Sequence, residues 1–330
     1  MKVLKVAIIG CGLIGNKRGD HLGPHELIVC ADTDGQKATA LANQHKGAIA
    51  TDNWKFAATH PDVDIVIVAT TPNYMPTITL AAIEANKHVL VEKPAARNAL
   101  ELKAVVDAAQ KHQRKVRVGF NHRYHPALQK AHEIMQSGRM GPLMFIRGRY
   151  GHGGRPGYEK EWRADPDIGG GGELLDQGMH LIDLSRWFLG DFTNIQGHVA
   201  NFFWSMPVED NAFMMLRTED DKIAWLQTSW TEWKNLFSFE IFGRDGKLQI
   251  DGLGGSYGPE KLTYYQMLPQ MGPPAIESFD FAGPDLSWQS EFKAFIEDIE
   301  NNREPSPNLK DAYEALKIVD TIYASHRENI

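Results

Sequence analysis

Cysteine is nearly absent: 330 residues contain two, Cys11 and Cys30. Both fall in strand-like or glycine-rich stretches near the N-terminus. Buried thiols are expected there, with no disulfide framework and no metal site. Long apolar runs are missing as well. None approaches the ~20 residues that a membrane-spanning helix requires. The first residues run straight into a strand-like segment, which argues against a signal peptide. Basic excess is also lacking. The formal charge is −7, which gives an extended nucleic-acid surface little support. These absences predict a protein of the reducing cytoplasm with no membrane or nucleic-acid partner. What is present is an ordinary globular mixture, 42% hydrophobic and 23% charged, at a length that suits one large or two ordinary domains.

The first third alternates in character. Val6–Ile9, Leu27–Ala31, Ile65–Ala69, His88–Val91 and Val116–Gly119 are short, apolar and largely β-branched. That is the pattern of parallel strands covered on both faces. Helix-like runs lie between them, at 36–45, 77–86 and 98–112. The alternation predicts an α/β fold whose N-terminal domain, residues 1–123, is a Rossmann-type parallel sheet.

Residues 124–330 read as a second, α+β domain built on a largely antiparallel sheet. One strand is expected to begin at Leu143–Ile146 and others at 195–204, 210–218, 222–230, 236–243 and 247–251, with a tight turn at Arg244–Lys247. Phe213, Trp225, Trp230, Phe237, Phe239 and Phe242 are expected to pack within that sheet. Residues 252–286 read as looser chain. Two helices close the sequence, and the last is able to pack back on the first domain.

Gly10-Cys11-Gly12-Leu13-Ile14-Gly15 directly follows the first strand. Its spacing is that of a turn over which a pyrophosphate can approach the backbone, at a helix N-terminus that favours anions. A glycine turn without a ligand would explain the hexapeptide alone. Asp32 weighs against that. It ends the second strand, about twenty residues further on, where a carboxylate can hold an adenosine ribose. No basic residue adjoins it to greet an extra phosphate, so NAD is expected over NADP. Asp34 is expected to cap the next helix. Thr71, Pro72 and Asn73 follow the third apolar strand, where a loop can either touch a cofactor or simply turn the chain.

Glu92-Lys93-Pro94 follows the fourth. Lys93 can polarise a substrate oxygen, and Glu92 can fix the lysine or a cofactor amide. A surface ion pair is the plainer alternative. Further on, Gly169–Gly172 lead into Glu173–Asp183, where Asp176, His180 and Asp183 stand at i, i+4 and i+7. α-Helical spacing puts them on one stripe, a histidine between carboxylates suited to proton transfer. The glycines read as a hinge. Just before them, Trp162 and Arg163 can meet a substrate, with Arg123 and Tyr124 contributing from the domain junction. Arg163 can equally pair with Asp165 or Asp167.

Taken in order, Gly10–Gly15, Asp32, Thr71-Pro72-Asn73, Glu92-Lys93-Pro94, Gly119-Phe120-Asn121-His122-Arg123 and Gly170–Asp183 resemble the motifs of the glucose–fructose oxidoreductase / inositol dehydrogenase / rhizopine-catabolism (Gfo/Idh/MocA) oxidoreductase family. The resemblance implies an NAD-dependent sugar or cyclitol dehydrogenase, moving a hydride between nicotinamide and a secondary alcohol or ketone. It implies Lys93, Asp176 and His180 as the catalytic set. His180 would exchange the proton, Lys93 would orient the oxygen, and Asp176 would bind a neighbouring hydroxyl or tune the other two. Asn121 joins the cofactor contacts. A homodimer or homotetramer is implied as well. A nucleotide-sugar dehydrogenase, a glycosidase using transient oxidation by NAD, and a non-enzymatic dinucleotide sensor are the alternatives. The chain departs from the family pattern at Pro76, where histidine is frequent, and at His122, where the first of two basic residues is usual.

Overall fold

The computed structural model describes residues 2–328. Chain contacts divide it into two compact units. Of the described residues, the first comprises 2–120, 167–170 and 288–316, and the second 121–166, 171–287 and 317–328.

Six parallel strands build the first unit: β1 (Lys5–Ile9), β2 (Glu26–Ala31), β3 (Ile49–Thr51), β4 (Ile65–Val68), β5 (His88–Glu92) and β6 (Val116–Gly119). Their order is β3-β2-β1-β4-β5-β6. The order reverses between β1 and β4, the place where such sheets open a crevice beyond the strand ends. Val6, Ile8, Ile65, Ile67 and Leu90 fill the core with no exposure or almost none. The helix Ser287–Glu300 adds Phe292, Phe295 and Ile296 to that core. A segment far away in sequence thus completes the N-terminal sheet's packing. The short elements Ile49–Thr51 and Trp54–Thr59 had no periodic signal of their own.

Buried charge accompanies the apolar packing. Arg18, 1% exposed, bonds Glu92 (2.7 Å) and Glu291 (2.6 Å). Its guanidinium also stacks on Trp288 at 4.5 Å. Arg117 reaches Asp298 at 2.5 Å. Burial favours the neutral form of Glu291 and holds its carboxyl above the usual range, although Arg18 pulls the other way.

The second unit carries eight strands: β7 (Leu143–Gly151), β8 (Phe192–Ala200), β9 (Asn211–Thr218), β10 (Ile223–Ser229), β11 (Leu236–Gly243), β12 (Gly246–Asp251), β13 (Glu260–Gln266) and β14 (Ala275–Phe281). They run β14-β13-β12-β11-β7-β10-β9-β8. Every pairing is antiparallel except β10 with β7. The predicted fold class therefore holds, and the 244–247 turn joins β11 to β12 as expected. Two strands were missed. The stretch read as loose chain contains β13 and β14. In β13, Leu262 and Tyr264 alternate inward, but the glycines and prolines on either side outweighed so short a pattern. β14 is a largely exposed edge strand with almost no buried face to betray it.

The sheet's aromatics divide between its faces. Trp230, Phe237 and Phe239 are buried, whereas Trp225 is 47% exposed. Trp225 lies opposite Met215 on β9, itself 42% exposed. Among the described residues, no helix is long and apolar enough to cross a membrane.

Candidate active site

In the first unit the glycine turn is built for close approach. A Cβ on Gly15 would sit 1.9 Å from the Gly10 carbonyl oxygen, so only glycine lets the helix Leu13–Asp20 press against the turn. A Cβ on Gly12 would meet nothing within 4 Å, leaving that backbone open. Gly12 heads the helix without a side-chain cap. First-turn N–H groups are therefore free of side-chain competition for an anion. Asp32 closes the arrangement from the end of β2. Its carboxylate accepts from the backbone N–H of Cys11 (2.8 Å) and Asp34 (2.9 Å). Asp34 caps the following helix through Gln36, as the sequence predicts. These residues fit a dinucleotide: an open glycine cradle, an uncapped helix and a fixed carboxylate.

Cys11 and Cys30 are buried and free. Contact with Cys30 and burial raise the Cys11 thiol above its usual range, so it stays protonated. Thr71 donates to Asn73 (2.7 Å), and the Asn73 N–H reaches the Ile168 carbonyl (3.2 Å). Lys93 follows directly on β5, at the strand end. Its neighbour Glu92 is turned inward. That carboxylate is 6% exposed and held by Arg18, so it anchors the strand end from below. Glu92, expected at the lysine or a cofactor amide, is thus seen here bonded to Arg18.

The second unit carries Asp176 and His180. Leu174–Gly178 form a π-helical turn, which passes into the α-helix Met179–Leu189. The single stripe expected from α-helical spacing is thus broken. The wider turn sends the three side chains to different partners, a common device at functional sites. Asp176 accepts from Arg163 Nε at 3.0 Å. Asp183 takes both arms of Arg123, at 2.8 and 2.6 Å. His180 lies flat against His122, with ring centroids 3.6 Å apart.

Arg163 therefore pairs with Asp176 rather than with Asp165 or Asp167. Burial opposes its charge, but Asp176 overcomes this and keeps the guanidinium firmly protonated. It also stacks on Trp162, at 4.3 Å. Arg123 was expected at the substrate. It is 4% exposed and pairs with Asp183, a buried contact that braces the helix. Tyr124 ends the short turn Asn121–Tyr124. Asn121, expected at the cofactor, is 5% exposed, and its amide donates to Ser287 Oγ at 2.9 Å. Around the helix stand Tyr150, Tyr257 and Gln177. Gln177 donates to the Tyr257 hydroxyl at 3.2 Å. Burial raises both phenols above their usual range.

Sequence reasoning missed Glu209 and its partner hydroxyl on Tyr323. A Cβ on Gly172 would fall 2.0 Å from the Glu209 carbonyl oxygen. The Glu209 carboxylate accepts from the N–H groups of Gly172 and Leu174, both at 3.1 Å, and from Tyr323 at 2.7 Å. At Gly172 the missing side chain serves close packing at the head of the helix. A lone glutamate ahead of a strand gives no sequence signal for such a clamp. Among the described residues, no cluster of His, Cys, Asp and Glu is arranged to hold a metal ion.

Comparison with known proteins agrees with this architecture. Residues 4–120 match the oxidoreductase family with an NAD-binding Rossmann fold, and residues 128–249 match the GFO/IDH/MocA C-terminal domain. Levoglucosan dehydrogenase of Pseudarthrobacter phenanthrenivorans is 28% identical over 66% of this chain and 59% of its own length. D-glucoside 3-dehydrogenase of Escherichia coli is 28% identical over 68% of this chain and 70% of its own. A solved levoglucosan dehydrogenase, in complex with NADH and levoglucosan, superposes with a TM-score of 0.91 at 23% identity, covering 99% of this chain and 98% of that one. The chain belongs to the Gfo/Idh/MocA oxidoreductase family, with an NAD-binding Rossmann unit and the family's C-terminal domain.

Proposed function

We propose that this protein oxidises a secondary hydroxyl of a neutral sugar or cyclitol, or reduces the corresponding ketone, with NAD as cofactor. The observation that carries the reading is the presence, in one chain of this family, of an open glycine cradle and fixed Asp32 and of a buried, ring-stacked His180. When bound, the nicotinamide supplies the hydride acceptor. Lys93 orients the substrate oxygen and offsets its developing negative charge. His180 takes the hydroxyl proton during oxidation and returns it during reduction. Asp176 receives a neighbouring hydroxyl, with its carboxylate held in place by Arg163.

Arg163 also bears on substrate charge. Its guanidinium is already balanced by Asp176, with Glu161 at 3.9 Å. That favours a neutral polyol over a uronic acid or a nucleotide-linked sugar. The two free, buried thiols suit the reducing cytoplasm.

The test is absorbance at 340 nm with NAD and NADP against inositols, aldoses, uronic acids and nucleotide sugars. NADH should form with a neutral sugar or cyclitol, and Asp32→Ala should narrow the preference for NAD over NADP. Saturable NAD binding without turnover across the panel would count against the assignment.

We further propose a homodimer or homotetramer. The support is the exposed apolar pair Trp225 and Met215, opposite each other on neighbouring strands of the second sheet. A monomeric mass in solution at assay concentration rejects this.

A further inference from the structure

The stacked imidazoles of His122 and His180 are 15° from parallel, and both are buried, at 6% and 5% exposure. So close a pair accepts one positive charge far more readily than two. The hydrogen bonds around His122 also reveal which of its nitrogens carries the proton. Asp285 Oδ1 accepts from the Ser287 hydroxyl at 2.6 Å. With its proton spent there, Ser287 Oγ accepts from Asn121 Nδ2 at 2.9 Å. This orients the amide so that Asn121 Oδ1 faces His122 Nδ1, at 3.2 Å. A carbonyl oxygen only accepts, so His122 Nδ1 is the donor. The chain of donors thus points one way, from His122 to the carboxylate of Asp285.

We propose that the relay Asp285–Ser287–Asn121 makes His122 a positioning residue, holding one tautomer of a neutral imidazole flat against His180 so that the charge His180 acquires with the substrate proton meets a π face. The inference rests on His180 as the proton-exchanging group. An aromatic face attracts a cation, and the effect grows where water is excluded. The stack also restricts rotation of the His180 ring, so its nitrogen stays aimed while the proton moves.

The surrounding charges leave room for this role. On the π turn and helix, Asp176 and Asp183 are engaged by Arg163 and Arg123. Glu173, fully buried, lies about two turns before His180. From β7, Tyr150 stands 5.3 Å from His122 and 6.3 Å from His180, with Tyr257 against it at 4.9 Å. His125 meets His122 edge-on at 5.6 Å, and its own nitrogens lie 3.0 Å from Glu260 and 3.9 Å from Asp285.

The test is nuclear magnetic resonance on the full chain with isotope-labelled histidine, using His180→Gln to identify the His180 signal. In the parent protein at neutral pH, the His122 Nδ1 shift should be that of a protonated nitrogen; an unprotonated Nδ1 overturns the proposal without any variant. His122→Phe keeps a neutral face, while His122→Arg installs a permanent cation. The His180 titration midpoint in His122→Arg should lie about one pH unit below that in His122→Phe, a tenfold change in proton binding. Coincident midpoints overturn the proposal. The measurement needs no substrate. A failed activity screen would therefore remove the dehydrogenase reading and leave this result standing.

Discussion

Replacing His180 with asparagine should lower kcat for alcohol oxidation by about 10²- to 10⁴-fold, the usual worth of a positioned acid–base group. Asparagine keeps a polar side chain of similar reach but takes up no proton near neutral pH. The substrate hydroxyl must then give its proton to hydroxide. The oxidation rate should therefore climb with pH, without the plateau that a titrating imidazole imposes. NADH affinity, measured by fluorescence titration, should change little, because the glycine cradle and Asp32 belong to the first unit and His180 to the second. A loss of less than tenfold would mean that another group removes the proton. An equal loss of NADH binding would make His180 a structural residue.

Replacing Arg18 with methionine should cost about 3–5 kcal/mol of stability, the expected penalty for stripping a buried ion pair of one partner. Arg18 holds two carboxylates that have almost no access to water. Without it, Glu92 loses its bonded cation and Glu291 keeps only the attraction of Arg117. The damage should reach function, because Arg18 lies on the helix that follows the glycine turn, while Glu92 adjoins Lys93. Weaker NADH binding should accompany the lower stability. Glu291→Gln should be far milder, since the Arg18–Glu92 pair survives and burial already favours a neutral Glu291. Urea unfolding followed by tryptophan fluorescence measures both, with Trp288 against the guanidinium as a local reporter. An Arg18→Met variant within about 1 kcal/mol of the parent would show that the cluster is dispensable, as some buried pairs are.

The sequence was most legible where chemistry is local. Gly10–Gly15 and the capping residue Asp34 act within a few residues of their positions, and Asp32 ends a strand at a fixed spacing from the glycines. The parallel strands showed themselves as apolar runs because both faces are covered. Partnerships across long separations were hidden. Nothing near Glu92 announces Arg18, and nothing near Arg123 announces Asp183. The helix carrying His180 misled for a different reason. Its side chains suggest α-helical spacing, but the π turn at Leu174–Gly178 is set by tertiary packing, in which Glu209 clamps the helix head. β14 escaped because an exposed edge strand has no buried face to impose alternation.

The return of Trp288–Leu316 to the first unit bears on how the chain is made. Domains generally fold as units during synthesis, N-terminal first. Here the N-terminal sheet emerges early, but Phe292, Phe295 and Ile296, and the carboxylates Glu291 and Asp298 that neutralise Arg18 and Arg117, leave the ribosome only after most of the second unit. The nascent sheet must wait with an apolar surface uncovered and buried cations incompletely matched. Completion of its packing is therefore a late event in synthesis.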